Sequence, residues 1–288
     1  MRQVVAIALG VLVVVAALAV VLVRHYTSTR YIQGQLARSI ARSTEHLYRI
    51  RIGSSDVSLR RHSLKLSDVE LLPDPAEVES RIQNGRLPAT RMAFTANSLT
   101  LEGVDFWALV RGGLVARSAA IDSPRVIVHL DRKIAALGGP TRSHKMPHEV
   151  LAATRRAIRI DTLRVAHGDV RYSELALAGV RPGSIRFADL SLTAYNITNR
   201  RDPKRRPIPA VAQIHFLLAG AAPSELNIAY DLFSPALRLT YDGTVGRMDG
   251  RAFNETLLDL EGCRVKHGQL DSTRFQFARQ HLPGSGGD

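Results

Sequence analysis

The spacing of apolar residues along the chain changes twice, and the first pattern is a long uncharged run. Val4 to Val23 is twenty residues without a charge, the length at which an α-helix crosses the hydrocarbon core of a bilayer. The run ends in bulky residues before Arg24, without the small-x-small pattern that marks a cleavage site. We therefore predict an uncleaved transmembrane signal anchor over residues 1–25.

Helical spacing follows the anchor and then gives way to strand spacing. The apolar positions at helical spacing are Ile32, Leu36, Ile40 and Leu47. They predict an amphipathic helix over about residues 31–47. From Tyr48 the period becomes two, which predicts short antiparallel strands broken by turns at 53–55 and 60–62. Asp105–Val110 has the length of one or two helical turns.

The alternation is clearest from Arg125 to Leu130. Val126, Val128 and Leu130 fall on one face of this predicted strand, and the other face is mixed. An antiparallel sheet with one face on a core and one face in water has this pattern. The residues thus predict a mainly β protein whose twisted antiparallel sheet has one apolar face, with a few short helices and the N-terminal transmembrane helix.

Turn-rich residues divide the chain after the anchor. Gly138 to Ser143 are polar and rich in turn formers, and Pro147–Arg156 fits a short helix with proline near its first turn. The predicted divisions are an N-terminal β region with the amphipathic helix (26–133), a linker with a short helix (134–157), a second β region (158–282) and a flexible tail (283–288).

An internal similarity lies within the second region. Leu163–Val170 and Cys263–Leu270 both carry an apolar pair, a His-Gly step and a further apolar residue. A glycine that adopts positive φ suits a hairpin. We predict two copies of a strand-turn-strand unit.

The charge favours anionic surfaces. The formal net charge is +13, and on a membrane-anchored chain the nearest anionic partner is phospholipid. Nucleic acid is not expected, because few aromatic residues accompany the basic ones and no zinc-finger or helix-turn-helix spacing occurs. The proline-rich basic run at 200–207 is predicted to be a loop, solvated or in contact with anionic headgroups. Its basic residues are Arg200, Arg201, Lys204, Arg205 and Arg206.

No motif in the sequence predicts catalysis. His144 and His148 stand four apart, but Pro147 lies between them and turn-rich residues precede them, which does not favour two imidazoles on one helical face. Nucleophile elbows, phosphate-binding loops and dinucleotide fingerprints are absent from the sequence. We predict a protein that is not an enzyme and needs neither metal nor cofactor.

The order of segments resembles a known family. "YRIRIGSSDVSLRRHSLKLSDVELL" from Tyr48 and "GGLVARSAAIDSPRVIVHLDRK" from Gly112 resemble the N-terminal region of AsmA-like proteins of the Gram-negative envelope. Three later stretches are similar to the domain of unknown function that accompanies this family: "MPHEVLAATRRAIRIDTLRVAHGDVRY", "GSIRFADLSLTAYNITN" and "FNETLLDLEGCRVKHGQLDSTRFQFA". Each motif is degenerate, so the resemblance rests on their order.

The resemblance implies a single-span inner-membrane protein with its β-rich body in the periplasm. It also implies a curled sheet, a β-groove, whose apolar concave face takes phospholipid acyl chains in envelope maintenance. Residues expected to line that groove are Val126, Val128, Leu130, Val165, Val265, Phe275 and Phe277. Two alternatives stay open: a structural or assembly factor for outer-membrane proteins, with another envelope protein closing the face, and a small buried core.

The flanking charges leave the orientation of the anchor undecided. Arg2 precedes the span, whereas Arg24, Arg30, Arg38 and Arg42 follow it. The positive-inside rule alone places the C-terminal part in the cytoplasm, although long domains cross largely regardless of charge.

The anchor generates a first prediction. Carbonate and high salt should leave the full chain in the membrane fraction, because twenty apolar residues hold it in hydrocarbon. A chain that begins at Tyr26 should be soluble or released by salt. Immunoblots of the two fractions measure this, and release of the full chain by salt alone would show that basic residues hold it instead.

Overall fold

The protein is mainly β in the part of the chain that can be described. The computed structural model describes residues 34, 37–38, 40–42, 44–111, 113–136, 156–200, 208–231, 233 and 238–279. One large, curled, mixed sheet and a few short helices make up this part. The predicted anchor, the predicted helix over 147–156 (save its last residue) and the tail at 283–288 lie outside the described residues. No helix within the described ranges is long and apolar enough to cross a membrane.

Thirteen strands are described, eleven of them in the large sheet. They are β1 (Tyr48–Ser58), β2 (Ser63–Pro73), β3 (Thr90–Glu102), β4 (Leu114–Asp122), β5 (Arg125–Asp131), β6 (Ile158–Leu175), β7 (Gly183–Thr198), β8 (Ala210–Leu218), β9 (Ala222–Asp231), β10 (Arg238–Val245), β11 (Met248–Asp249), β12 (Gln269–Leu270) and β13 (Thr273–Arg279). β11 and β12 form a separate small sheet. The helices are α1 (Pro75–Gln83), α2 (Phe106–Val110), α3 (Arg132–Ala136), a 3-10 turn (Gly250–Phe253) and α4 (Asn254–Glu261).

Local chemistry explains where the short helices begin. Asp74 accepts a hydrogen bond from the Ala76 N–H (3.0 Å) before α1. Asp105 accepts one from the Ala108 N–H (2.9 Å), which caps the predicted helix at 105–110. The residues described between 34 and 42 are helical as well, in line with the predicted amphipathic helix. That helix does not reach residue 47, because a turn at 44–46 comes first.

β1 and β2 form the hairpin that the sequence predicts at 60–62, but the predicted break at 53–55 is wrong. β1 runs without interruption from Tyr48 to Ser58 and pairs with β2 on both sides of Gly53. A Cβ atom on Gly53 would lie 2.8 Å from the Asp68 carboxylate. A larger residue at position 53 would collide with the Asp68 side chain, so glycine lets β1 and β2 stay paired there.

The prediction of a wholly antiparallel sheet is wrong at the centre. β4 and β5 both pair with β6 in parallel, because the chain crosses over between Asp131 and Ile158 instead of turning back. Leu114 lies opposite Ile158 and Arg125 opposite Asp169, with the same offset. β4 and β5 thus act as one strand position that is interrupted at residues 123–124, so the sheet is ten positions wide.

A line of irregular residues crosses the sheet at that interruption, and we call it the crease. Four residues on it have positive φ between 47° and 55°: Asp68, Ser123, His167 and Asp189. They follow one another across β2, the β4–β5 break, β6 and β7, with Asn97 of β3 beside Asp68. A residue of this kind breaks the alternation of side chains between the faces.

The crease reverses the alternation in neighbouring strands together. In β2, Leu64 and Leu66 are buried before it and Val69 after it, an odd step within one strand. All three belong to one hydrophobic cluster. Because the reversal is shared, apolar side chains stay on one face on both sides of the crease.

The predicted repeat of a strand-turn-strand unit is wrong. Leu163–Val170 lies within the single strand β6, where His167 and Gly168 form a bulge on the crease. Residues 263–268 form a largely exposed loop that leads into the two-residue β12. Similar sequences therefore take different structures, because only the first has strands on both sides to pair with.

The buried core lies at the N-terminal end of the sheet. Its members come from β1 to β4 and the loop before α2, and the least exposed is Val104 at 1%. The core residues are Ile52, Leu64, Leu66, Val69, Leu101, Val104, Ala116 and Ala119. Apolar burial is therefore concentrated in one half of the sheet.

This core generates a second prediction. Leu101→Ala should lower the free energy of unfolding by about 2–5 kcal/mol, because it leaves a cavity beside Leu64 and Ala119. Lys65→Ala, on the opposite face of β2, should change it by less than about 0.5 kcal/mol. Urea titration of each full chain in detergent, followed by circular dichroism, measures the difference. Equal midpoints would mean that this cluster does not stabilise the fold.

Candidate functional site

The main candidate for a functional site is the apolar face of the sheet, where residues of successive strands line up in register. One cross-strand row, row A, has no polar side chain from β2 to β13. Its members are Leu66, Leu99, Ile121, Val165, Leu192, Ile214, Leu226, Gly243 and Phe275.

A second apolar row, row B, runs beside row A across all ten strand positions. Its members are Val57, Leu64, Leu101, Ala119, Leu163, Ala194, Ala212, Ile228, Tyr241 and Phe277. With neighbouring strands about 4.8 Å apart, row B is about 43 Å long. The row is one strand spacing shorter than eleven separate strands would give, because β4 and β5 share one position.

A third row, row C, continues the apolar face beyond the crease. Its members are Ile50, Leu71, Phe94, Val126, Val170, Phe187, Leu218 and Ala222. Ile50 and Phe94 pack against the same cluster as Leu64 and Leu101, which places rows A, B and C on one face.

The opposite face of the sheet is polar along a matching row. This outer row lies between rows A and B in sequence and consists of Asp56, Lys65, Thr100, Ala120, Arg164, Thr193, Gln213, Asn227, Asp242 and Gln276. Hydrogen bonds join members of this outer row to one another and to Glu225 in the row beside it. Asn227 donates to Asp242 (3.2 Å), and Gln213 donates to Glu225 (3.1 Å). Hydrogen bonds from Gln213 and Asn227 lower the pKa of Glu225, so its carboxylate is the favoured form.

The apolar face becomes more open toward its C-terminal end. Leu66 and Leu101 are 6% exposed, whereas Phe277 on β13 is 54% exposed. The residues of rows A and B between them are mostly half-buried. The face therefore begins as a closed core and ends as a surface.

Gly243 shapes the open end of the face. A Cβ atom at this position would lie 2.7 Å from the ring of Phe275 and 2.5 Å from the Glu225 carbonyl oxygen. The Phe275 ring therefore occupies the space that a side chain at position 243 would fill, and the surface there is aromatic. Tyr241 and Phe277 stack beside it with ring centroids 5.1 Å apart.

One polar cluster interrupts the apolar face near the end of β6. The Tyr172 hydroxyl donates to Glu174 (2.8 Å), and Arg132 at the start of α3 forms an ion pair with the same carboxylate. Burial, followed by the hydrogen bond to Glu174, raises the pKa of Tyr172 to about 12. The phenol thus stays protonated, and the cluster marks a polar boundary where Leu130 lies opposite Glu174.

The residues predicted to line a groove divide into two groups. Val126 belongs to row C. Val128 lies in the next row along β5, opposite Met92 and Tyr172. Rows A and B contain Val165, Phe275 and Phe277. Val265 is elsewhere: it lies in the loop at 263–268, where its backbone bonds to the Asn254 side chain (2.7 and 3.0 Å). The expectation that Val265 lines the groove is therefore wrong, because this residue lies outside the strands of the large sheet.

The middle of the apolar face was not predicted from the sequence. Leu192, Ile214 and Leu226 continue row A, yet none was singled out. Their strands alternate in the sequence as clearly as β5 does, so the signal was available at 190–194 and 210–216.

The predicted headgroup contacts lie almost wholly outside the described residues. Arg200 is exposed at the end of β7, and its N–H donates to the Thr198 hydroxyl (3.1 Å). Arg201, Lys204, Arg205 and Arg206 fall outside the described residues.

The hollow along the crease, in the described part of the protein, does not gather a reactive set of side chains. A groove of about 940 Å³ follows the crease on the polar side and mixes arginines with carboxylates. His167 at its edge bonds Asp122 (3.1 Å), which lowers the pKa of that exposed carboxyl. Within the described ranges, no three His, Cys, Asp or Glu side chains converge as metal ligands. The apolar face is therefore the feature with the clearest chemistry.

Comparison with known proteins gives no independent assignment. No family and no curated protein matches this chain.

Proposed function

We propose that the apolar face binds phospholipid acyl chains and hands them on, as a membrane-anchored, periplasmic β-groove module of the AsmA-like type. The observation that carries the proposal is the continuity of rows A and B. Each row stays apolar from one strand to the next, while the outer row between them stays mostly polar. Such a surface offers an acyl chain an uninterrupted apolar path across the sheet.

The dimensions of the face suit a lipid. Row B is about 43 Å long, whereas one leaflet of a bilayer core is only about 15 Å deep. An acyl chain lying along the rows therefore covers about a third of them. More than one lipid can lie on the face, or one lipid can move along it.

The energetics favour passage over storage. Removing each methylene from water contributes about 0.8 kcal/mol, so a lipid tail strongly prefers either the bilayer or the groove to water. Moving from one hydrocarbon surrounding to another changes that term little. An open apolar face thus lowers the barrier to leaving a membrane without trapping the lipid.

The positive charge of the chain supports the same proposal, because it favours contact with anionic phospholipid headgroups. A net charge of +13 attracts anionic phospholipid. We assign the headgroup contact to the basic run of which Arg200 is the first residue. No catalytic group, metal or cofactor is needed, because transfer breaks no bond.

A third prediction tests the face with two adjacent residues of β8. Ile214→Arg places a charge in row A, among the bound acyl chains, and should reduce copurified phospholipid several-fold. Gln213→Arg is the matched control, because its side chain lies in the outer row and keeps a donor for Glu225. Native mass spectrometry of the full chains, with circular dichroism for folding, measures both.

The outcomes separate the alternatives. Equal lipid in both folded variants would reject the groove. Unfolding of Ile214→Arg alone would show that the face is a packed interior, where an unpaired charge is not tolerated. Absence of lipid from the unmodified chain would favour closure of the face by a partner protein.

A fourth prediction concerns the compartment. Alkaline phosphatase fused after Asp288 should be active, and a fluorescent protein that folds only in the cytoplasm should be dark at the same position. The resemblance implies a periplasmic body, whereas the charges that flank the anchor favour a cytoplasmic one, so the result decides between the two expectations. An inactive phosphatase with a bright fluorescent protein would place the body in the cytoplasm.

A further inference from the structure

The sheet ends in two edges of different character. Among the strands that the structure describes, β1 and β13 are the outermost, and each pairs with one neighbour. An edge strand presents unpaired N–H and C=O groups and readily pairs with another chain unless it is protected. The two edges differ in that protection.

The β1 edge carries charges fixed by ion pairs. Arg49 bonds Asp74 (3.0 Å) and Arg51 bonds Glu70 (2.9 Å). Asp56 adds an exposed carboxylate further along the same strand. Charged side chains of this kind discourage pairing with another chain.

The β13 edge carries two aromatic side chains between its arginines, Arg274 and Arg279. Rows A and B both end there, at Phe275 and Phe277, and Phe277 is 54% exposed. The two rings lie 6.1 Å apart. The apolar face therefore stops at an open edge, where nothing in the described part of the chain covers it.

The sequence of β13 is complementary to itself. An antiparallel pairing centred on Gln276 joins all seven residues of the strand. It places Phe275 opposite Phe277 of the second copy, and Arg274 opposite Ala278 of the second copy, so no two arginines face each other. Aromatic pairs across strands stabilise a sheet, and like charges directly opposite destabilise it.

We propose that β13 is an interaction surface for a second copy of this chain, which joins it edge to edge in this antiparallel register. The twofold axis passes through Gln276 at right angles to the sheet, so both apolar faces lie on the same side. Row A of one copy then continues into row B of the other. The joined rows are about 90 Å long, twice the length within one copy. The interaction does not depend on what the apolar face binds.

A fifth prediction tests the register with a single thiol. Cys263 is exposed and is first replaced by serine. In the Gln276→Cys variant, the new thiol of one chain lies opposite the same thiol of the second chain. Their Cα atoms are about 4.5–5.5 Å apart, within the range of a disulfide. Mild copper-phenanthroline oxidation of the full chain in native membranes should convert most of it to a covalent dimer.

Arg274→Cys is the matched control on the same face of the same strand. In the proposed register the thiol at position 274 lies about 14 Å from its copy, too far for a disulfide. We expect at least about tenfold less dimer from this variant than from Gln276→Cys. Maleimide labelling of both variants shows that their thiols are accessible before oxidation.

Three results would overturn the proposal. Gln276→Cys could stay monomeric although its thiol is labelled, both variants could cross-link to the same extent, or Arg274→Cys alone could cross-link. The first result means no pairing at this edge, the second means random collision and the third means a different register. Lipid binding by Ile214→Arg is read separately, so failure of one proposal does not decide the other.

Discussion

The structure depends on the register of its strands, because register decides which side chains share a face. The part of the chain that the structure describes has no long helix over this sheet, so a slip of one residue would turn an apolar row outward and a polar row inward. Rows A and B stay apolar through strands that pair both antiparallel and parallel. The polar outer row between them, tied by Gln213, Asn227 and Glu225, holds the same register from the other side.

The crease keeps this arrangement intact where the alternation reverses. Left-handed residues in a strand are unfavourable for most side chains, and three of the four found there are short and polar: Asp68, Ser123 and Asp189. Because they share one line across the sheet, neighbouring strands reverse together and the apolar side chains stay on one face. A single irregular strand would instead have lost its pairing.

Some of this architecture could be predicted from the sequence, and the limits have physical causes. The faces of β5 followed from Val126 and Val128, because alternation is a local property. The parallel pairing of β6 did not, because a linker predicted at 134–157 does not determine which strand β6 pairs with, or in which direction. Val265 was misplaced since a motif like that of Leu163–Val170 forms a strand only where neighbours supply hydrogen bonds.

The two parallel pairings also imply an order in which the two halves of the chain fold. β1 to β5 contain the buried core and are joined by connections of which the longest is residues 74–89, so we expect this half to collapse before β6 joins it. β6 must then pair with β4 and β5 across the connection at 132–157, and closing a connection of this length carries an entropic cost that slows folding. Until β6 arrives, the exposed side of β4 and β5 is an unpaired edge. The interval between the two halves is therefore the stage at which this protein is most vulnerable to aggregation.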